Sequence, residues 1–221
     1  MDSKNRDSNI SRIENIDTAD CSFYRRLGLK TVFKSHDYLY HRNSLISLNG
    51  NAYKSKRAAV NYFQNNYRYQ YVPFRKPDAA ECLKLYRQWQ SERSRRYNNR
   101  IYQQMLCDSF LAQKTAMENL RKLGLIGRVV KIKDKICAYT FGFKLNEETF
   151  CILFEVADLN IKGLANFIFR EFCREAPGFT PLEIPFLTGF TYINCMDDSG
   201  LENLKKTKLS FRPCRLIPAY I

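Results

Sequence analysis

Histidine is nearly missing from this chain. His36 and His41 are the only two in 221 residues, which argues against imidazole acid–base catalysis and a histidine-ligated metal. The eight cysteines form no Cys-x-x-Cys pair and no Cys/His cluster at metal-ligand spacing, so zinc-ribbon and dithiol readings fall away. Cys137, Cys151 and Cys173 sit inside apolar runs and read as small core residues. No window approaches 18 consecutive apolar residues, and the start, Met1-Asp2-Ser3-Lys4-Asn5, is polar. These absences predict a cytoplasmic chain in a reducing compartment, without structural disulfides or a transmembrane span. No internal repeat or low-complexity tract is visible.

Acids are also scarce, with 22 Asp and Glu against 36 Lys and Arg and a formal net charge of +14. The excess is uneven: residues 1–96 hold 19 basic against 9 acidic side chains, and residues 97–221 hold 17 against 13. A polyanion partner is expected, either nucleic acid or an anionic membrane surface. The plainer alternative is a basic protein with no such partner. With 45% apolar residues the chain can bury one substantial core, as one domain with an appendage or as two small domains. Residues 1–30 are polar, with only Ile10, Ile13 and Ile16 at helical spacing, and read as a polar tail or a short helix.

The rest is organised around Leu125 to Phe172. Three runs rich in β-branched and aromatic residues, 125–132, 136–143 and 149–155, are separated by polar turns at 133–135 and 144–148. They predict three antiparallel strands, with Asp134 suited to a tight turn. The third run is nearly all apolar, so both its faces are covered and it lies inside the sheet. It ends on one carboxylate, Glu155. An amphipathic helix over 161–172 follows. Upstream, extended structure is expected around Val32-Phe33 and Tyr38-Leu39-Tyr40, a turn at Asn49-Gly50-Asn51, a helix over 53–66 and a strand over 67–74. Helices over 78–92 and 102–123 flank a charged connector at 91–99, with Gly124 as a C-cap. Downstream lie a loop at 177–185, a short strand at 190–194, a helix over 200–211 and an extended end from Cys214. From residue 67 the order β-α-α-β-β-β-α-β-α-β matches the acyltransferase fold of the Gcn5-related N-acetyltransferases (GNAT). The fold class is therefore α+β, a GNAT-like mixed sheet flanked by helices.

Three places carry candidate chemistry. Glu155, at the exit of a buried strand, is placed to orient or deprotonate an acceptor; a plain strand-ending acid is the alternative. Lys162-Gly163-Leu164-Ala165 opens a helix whose free N–H groups suit a phosphate, although the glycine-rich pyrophosphate loop of acetyl-CoA enzymes is reduced there to Gly163 and Ala165. Lys54, Lys56 and Arg57 put positive charge on the first turn of a helix, against its dipole, which hints at anion binding rather than a merely solvated face.

The most specific stretch runs Tyr192-Ile193-Asn194-Cys195-Met196-Asp197-Asp198-Ser199-Gly200-Leu201-Glu202-Asn203-Leu204-Lys205-Lys206-Thr207-Lys208 and on to Pro213. With Ser55-Lys56-Arg57, Ala116-Met117-Glu118-Asn119, Phe154-Glu155 and Ile161-Lys162-Gly163, it resembles the C-terminal domain of the phosphatidylglycerol lysyltransferase family, from about Asp37 to Ile221. The resemblance implies a tandem acyltransferase-fold protein, related to the Fem-type peptidoglycan aminoacyl transferases, that moves an amino acid from aminoacyl-tRNA to a hydroxyl or amine. It implies a domain plan of a polar tail (1–30), the remnant of an upstream lobe with a basic bridging helix (31–66) and a GNAT-like acyltransferase domain (67–221). Membrane-bound members use phosphatidylglycerol through a separate lipid-facing domain, which this sequence does not supply.

The implied roles are these. Glu155 is the acceptor's base, and Asp198 holds the α-ammonium of the aminoacyl group or fixes the basic residues. Lys205, Lys208 or a backbone N–H stabilises the oxyanion. Lys162, Gly163, Asn194 and Glu118 bind substrate, and Lys54, Lys56 and Arg57 touch tRNA phosphates. Glu155, Asp198 and Lys205 are expected to converge on one cleft. The chain departs from the family pattern at Cys195, where Arg is usual, at Met196, where an acid is usual, and at Val156, where Lys is usual. Lys205 replaces an Arg and keeps the charge but not the bidentate fork. No cofactor is expected, aminoacyl-tRNA being the donor substrate. Two other readings compete: a coenzyme-A-dependent N-acetyltransferase of the same fold, and a non-catalytic basic module that binds RNA or an anionic surface. A homo-oligomer that completes the shortened lobe, and a position at the inner face of the membrane, are further expectations.

Overall fold

The computed structural model describes residues 13–97, 99–175 and 189–221. In chain order its elements are β1 (Ile16–Asp17), α1 (Cys21–Arg26), β2 (Phe33–His41), α2 (Arg42–Ser47), α3 (Lys54–Asn66), β3 (Gln70–Pro73), α4 (Ala79–Arg96), α5 (Arg100–Glu118), β4 (Ile126–Ile132), β5 (Lys135–Lys144), β6 (Thr149–Ala157), α6 (Leu164–Arg174), β7 (Tyr192–Asn194), α7 (Glu202–Leu209) and β8 (Arg215–Tyr220). Two compact units result, one of residues up to Leu39 with Cys195–Ile221, the other of Tyr40–Asn194.

The larger unit carries five strands in the order β7-β6-β5-β4-β3. All neighbours are antiparallel except β6 and β7, which run parallel. The β4–β5 hairpin closes on Lys133 and Asp134, both at positive φ (49° and 61°), the two-residue turn whose twist matches the flanking strands. Helices cover both faces. On one, Val60 and Phe63 of α3 and Leu164, Phe167 and Ile168 of α6 pack against Val130, Ala138 and Ala157. On the other, Cys82, Leu85 and Tyr86 of α4 and Met117 of α5 pack against Val129, Tyr139, Phe141 and Val156. Full burial of each large side chain contributes about 1.5–3 kcal/mol, so these two layers hold the unit together. Arg42 joins α2 to the end of α6, donating from Nε to the Cys173 carbonyl (2.8 Å) and from Nη2 to that of Arg174 (3.2 Å). In the smaller unit β8 lies between β1 and β2, antiparallel to both.

The order β3-α4-α5-β4-β5-β6-α6-β7-α7-β8 is the one expected, and the fold is α+β and GNAT-like. Two local expectations need correction. The charged stretch after residue 91 is not a connector, because α4 continues to Arg96. The helix from Arg100 ends at Glu118, and Gly124 (φ 61°) instead closes the turn before β4. Arg42–Ser47 is helical, ending on a left-handed Leu48. Residues 1–30, read as a polar tail or a short helix, include β1 and the short helix α1. The loop at 177–185 lies outside the described residues. Among the described residues no helix is long and apolar enough to cross a membrane, and all eight cysteines are free thiols.

Candidate active site

Glu155 owes its position to an irregularity in β6. Phe141 pairs with Phe154 but Gly142 with Ile152, so Leu153 is an extra residue on β6. Before this bulge Phe150 turns toward α6, its ring 5.5 Å from that of Phe172. Strict alternation from Phe150 would send residue 155 to the α4–α5 side. The bulge reverses that: Phe154 and Val156 join the α4–α5 core, and Ala157 joins the α3–α6 core. Glu155, two residues before Ala157, therefore lies on the α6 face, half-buried. Gly142 makes the bulge possible, since a Cβ there would stand 2.4 Å from the Phe150 ring and 2.5 Å from the Cys151 carbonyl oxygen.

Two further polar residues share that face. Thr140 of β5 is directly opposite Glu155, and Arg128 of β4 is opposite Thr140. The row Arg128–Thr140–Glu155 thus crosses three strands. Arg128 and its partner Glu175, at the end of α6, form a buried ion pair, each side chain 6% exposed. Burial pushes the Glu175 carboxyl upward, opposed by the adjacent guanidinium. The buried Thr140 hydroxyl has no hydrogen-bond partner among the described residues. Beside this row the sheet opens. β7 pairs with β6 only from Thr149↔Tyr192 to Cys151↔Asn194, and β6 runs on to Ala157 without β7. Arg128, Thr140 and Glu175 were not among the expected site residues. The visible hint was an arginine inside the apolar run Ile126-Gly127-Arg128-Val129-Val130.

The smaller unit contains the most specific stretch from Cys195 onward, which begins as a tight loop before α7. Met196, Ser199 and Gly200 all have positive φ (57°, 53° and 69°). Two Asx turns hold it: Ser199 N–H donates to Asp197 Oδ1 and Gly200 N–H to Asp198 Oδ1, both at 3.0 Å. Asp197 Oδ2 also accepts from Ser35 Oγ (2.8 Å), and Asp198 Oδ2 from the Tyr38 hydroxyl (2.5 Å). Burial first, then the bond to Asp198, pushes the Tyr38 phenol up to about 12. Lys208 donates to the carbonyl of Cys195 and, at 3.2 Å, to that of Met196, with its ammonium 5.6 Å from the Tyr38 ring centroid. The loop is thus gripped through main-chain carbonyls, whatever side chains stand at 195 and 196. Asp198 and Lys208 meet at this loop. Lys205 is exposed on α7. Glu155 belongs to the larger unit and Asp198, Lys205 and Lys208 to the smaller.

The remaining expected residues lie in the larger unit. Gly163 caps α6 at φ 84°, and a Cβ there would fall 2.1 Å from the Ala59 carbonyl oxygen, so glycine permits the close approach of α6 to α3. Lys162 lies 4.4 Å from the Tyr62 ring centroid. Lys54 is exposed; Lys56 is half-buried, and burial lowers the pKa of its ammonium. Arg57 Nη1 donates to the carbonyls of Leu48 and, at 3.2 Å, Gly50, fastening the turn after α2. Asn194 is buried at the end of β7, and Glu118 is exposed at the end of α5, 4.0 Å from Lys114.

The sequence matches the family described as phosphatidylglycerol lysyltransferase, C-terminal, over residues 13–221. A conserved protein of unknown function from Bacteroides thetaiotaomicron VPI-5482 is similar in structure, with 29% identity and a TM-score of 0.73 over 94% of this chain and 67% of that one. L-PGS from Bacillus licheniformis is similar at 15% identity and a TM-score of 0.62, covering 94% of this chain and 65% of that one. The C-terminal domain of a putative lysylphosphatidylglycerol synthetase from Agrobacterium fabrum aligns at 13% identity and a TM-score of 0.57, with 94% and 65% covered. The chain spans about two thirds of the length of these solved relatives. No curated protein matches it. With the family matched over nearly its whole length and its strand order in place, the chain belongs to the phosphatidylglycerol lysyltransferase C-terminal family.

Proposed function

We propose that the protein is an aminoacyl-tRNA-dependent aminoacyl transferase that moves an amino acid from tRNA to a lipid, peptide or other small acceptor, with no coenzyme A. The observation that carries this reading is the bulge at Leu153, which turns Glu155 to the α6 face beside the end of the β6–β7 pairing. Family membership supports aminoacyl transfer as the class of chemistry.

The donor ester is already activated, so the protein's task is to position an acceptor and stabilise charge. Glu155 accepts a proton from the acceptor's hydroxyl or amine as that atom attacks the ester carbonyl. The carbonyl carbon then releases the terminal ribose oxygen of tRNA, which takes up the proton. Asp198, held by Tyr38 and its own turn, binds the α-ammonium of the aminoacyl group. Lys205 or a backbone N–H stabilises the oxyanion, and Lys208 positions the Asp198 loop. Asn194, Lys162, Gly163 and Glu118 remain the substrate-side residues of this reading, and Lys54, Lys56 and Arg57 its first tRNA contacts. The setting is the cytoplasm, with access to the inner face of an anionic membrane, and the protein acts as a homo-oligomer.

Titrating the protein with charged tRNA, uncharged tRNA and acetyl-CoA tests this. The expected outcome is preference for charged tRNA, lost in Asp198→Ala. Saturable acetyl-CoA binding, or equal binding of charged and uncharged tRNA, contradicts it.

A further inference from the structure

The antiparallel helices α4 and α5 enclose a cleft of about 300 Å³ lined by Ala80, Leu83, Lys84, Arg87, Phe110 and Lys114. Three of these six residues are cations and the others are apolar. The Arg87 guanidinium lies 4.9 Å from the Phe110 ring centroid. That separation is within the range of a cation–π pair. Lys84 and Arg87 are exposed, and among the described residues neither has an ion-pair partner. Lys114 meets only the exposed Glu118, at 4.0 Å, a pair of little strength in water.

The charge balance of the hairpin points the same way. Residues 79–118 hold seven Lys/Arg against four Asp/Glu. Two of those acids serve the fold: Glu81 accepts from the Ile136 N–H at 3.0 Å, and Glu92 from Gln88 and Asn160 at 3.4 Å each. Toward the other end of α4, Arg93 lies 5.3 Å from the Trp89 ring centroid, a second guanidinium set against an aromatic ring. Cations alternating with ring-backed guanidinium planes combine phosphate attraction with a stacking surface, the recipe for binding single-stranded nucleic acid. A membrane surface fits less well, because the cations line a concavity and Asp108 lies between the exposed Ile101 and Leu111 of α5.

We infer that the α4–α5 cleft binds the phosphodiester backbone of RNA, with Lys84, Lys114 and Arg87 on phosphates and an unpaired base stacked on the Arg87–Phe110 platform. The inference needs RNA binding alone and not aminoacyl transfer, so it stands or falls apart from the proposed function. It adds a second RNA-contacting surface to the one proposed on α3.

The test is fluorescence anisotropy with uncharged, labelled tRNA across a salt series, on the full chain and on Lys84→Ala/Arg87→Ala/Lys114→Ala. The triple variant is expected to bind about 10- to 100-fold more weakly near 0.1 M salt. Its log–log salt slope should be shallower by about 2, at roughly 0.7 for each phosphate no longer neutralised. Lys144→Ala, which removes a cation elsewhere, should change affinity less than threefold. If circular dichroism shows the triple variant unfolded, the single substitutions Lys84→Ala and Lys114→Ala carry the test, each expected to flatten the slope by about 0.7. Affinity within twofold of the parent with an unchanged slope overturns the inference. So does AMP binding as tightly as tRNA, which makes this a free-nucleotide site. Loss of binding to anionic vesicles while tRNA binding persists also overturns it, by assigning the cleft to a membrane.

Discussion

Tyr38 shows how one side chain can tie the Asp-rich loop to the pH response of the protein. It is 3% exposed and donates to Asp198. Its phenol holds the proton more tightly when folded, with a pKa of about 12 against 10 for a free phenol. Its stabilising contribution is therefore whole below about pH 10 and lost as pH rises through the folded value. At about 1.4 kcal/mol per pH unit, the loss amounts to roughly 2–3 kcal/mol. In Tyr38→Phe, urea unfolding near neutral pH should show a loss of about 1–2 kcal/mol from the missing hydrogen bond. The further drop between about pH 10 and 12 should shrink but persist in part, because burial also raises Tyr71 and Tyr139. An alkaline drop as large as the parent's contradicts this account of Tyr38.

At the scale of elements, the β5–β6 pair and the end of α6 matter most. Gly142→Ala forces a methyl group into Phe150 and Cys151. Overpacking of this kind costs about 1–3 kcal/mol. Because the clash lies beside the residue that sets the register, activity should fall with stability. A variant with parental urea midpoint and parental turnover would show that the bulge does not position Glu155. For the buried Arg128–Glu175 pair, Glu175→Leu alone should cost about 3–5 kcal/mol by leaving a buried guanidinium unpaired, whereas Arg128→Met/Glu175→Leu should recover most of it. Equal losses in the single and double variants would show that the pair is not the cause.

These elements also show where the chain is readable. The three strands and the following helix were legible because their periods, two and then 3.6, run uninterrupted between polar turns. The bulge was not, since Leu153 looks like any apolar strand residue and becomes an insertion only when paired with β5. Helix α2, six residues long, was hidden because Arg42–Ser47 is too short to display a helical period. Arg57 Nη1 and the Lys208 ammonium also donate to carbonyls of Leu48, Gly50, Cys195 and Met196, partners that only folding brings within reach. Glu155 read as the acid ending an inner strand, but β6 runs on to Ala157, and the face Glu155 occupies required the register.

For the whole molecule, two features bear on function together: a net charge of +14 and membership of a family of acyl-transferring proteins. A charge of this size attracts polyanions such as RNA through many weak phosphate interactions, a sequence-independent attraction that weakens steeply with salt. It does not by itself choose a charged tRNA over an uncharged one. In the proposed function that choice rests on Asp198 and its turn, and the chemical step on Glu155. The direct measurement is single-turnover transfer of label from bulk aminoacyl-tRNA to vesicles of anionic lipid and to small amine and hydroxyl acceptors, comparing the parent with Glu155→Gln. The account expects acceptor-dependent loss of label from tRNA, slowed about 10²- to 10⁴-fold in Glu155→Gln with tRNA affinity unchanged. Release at the same rate in both proteins, or no acceptor-dependent release from any aminoacyl-tRNA, contradicts it.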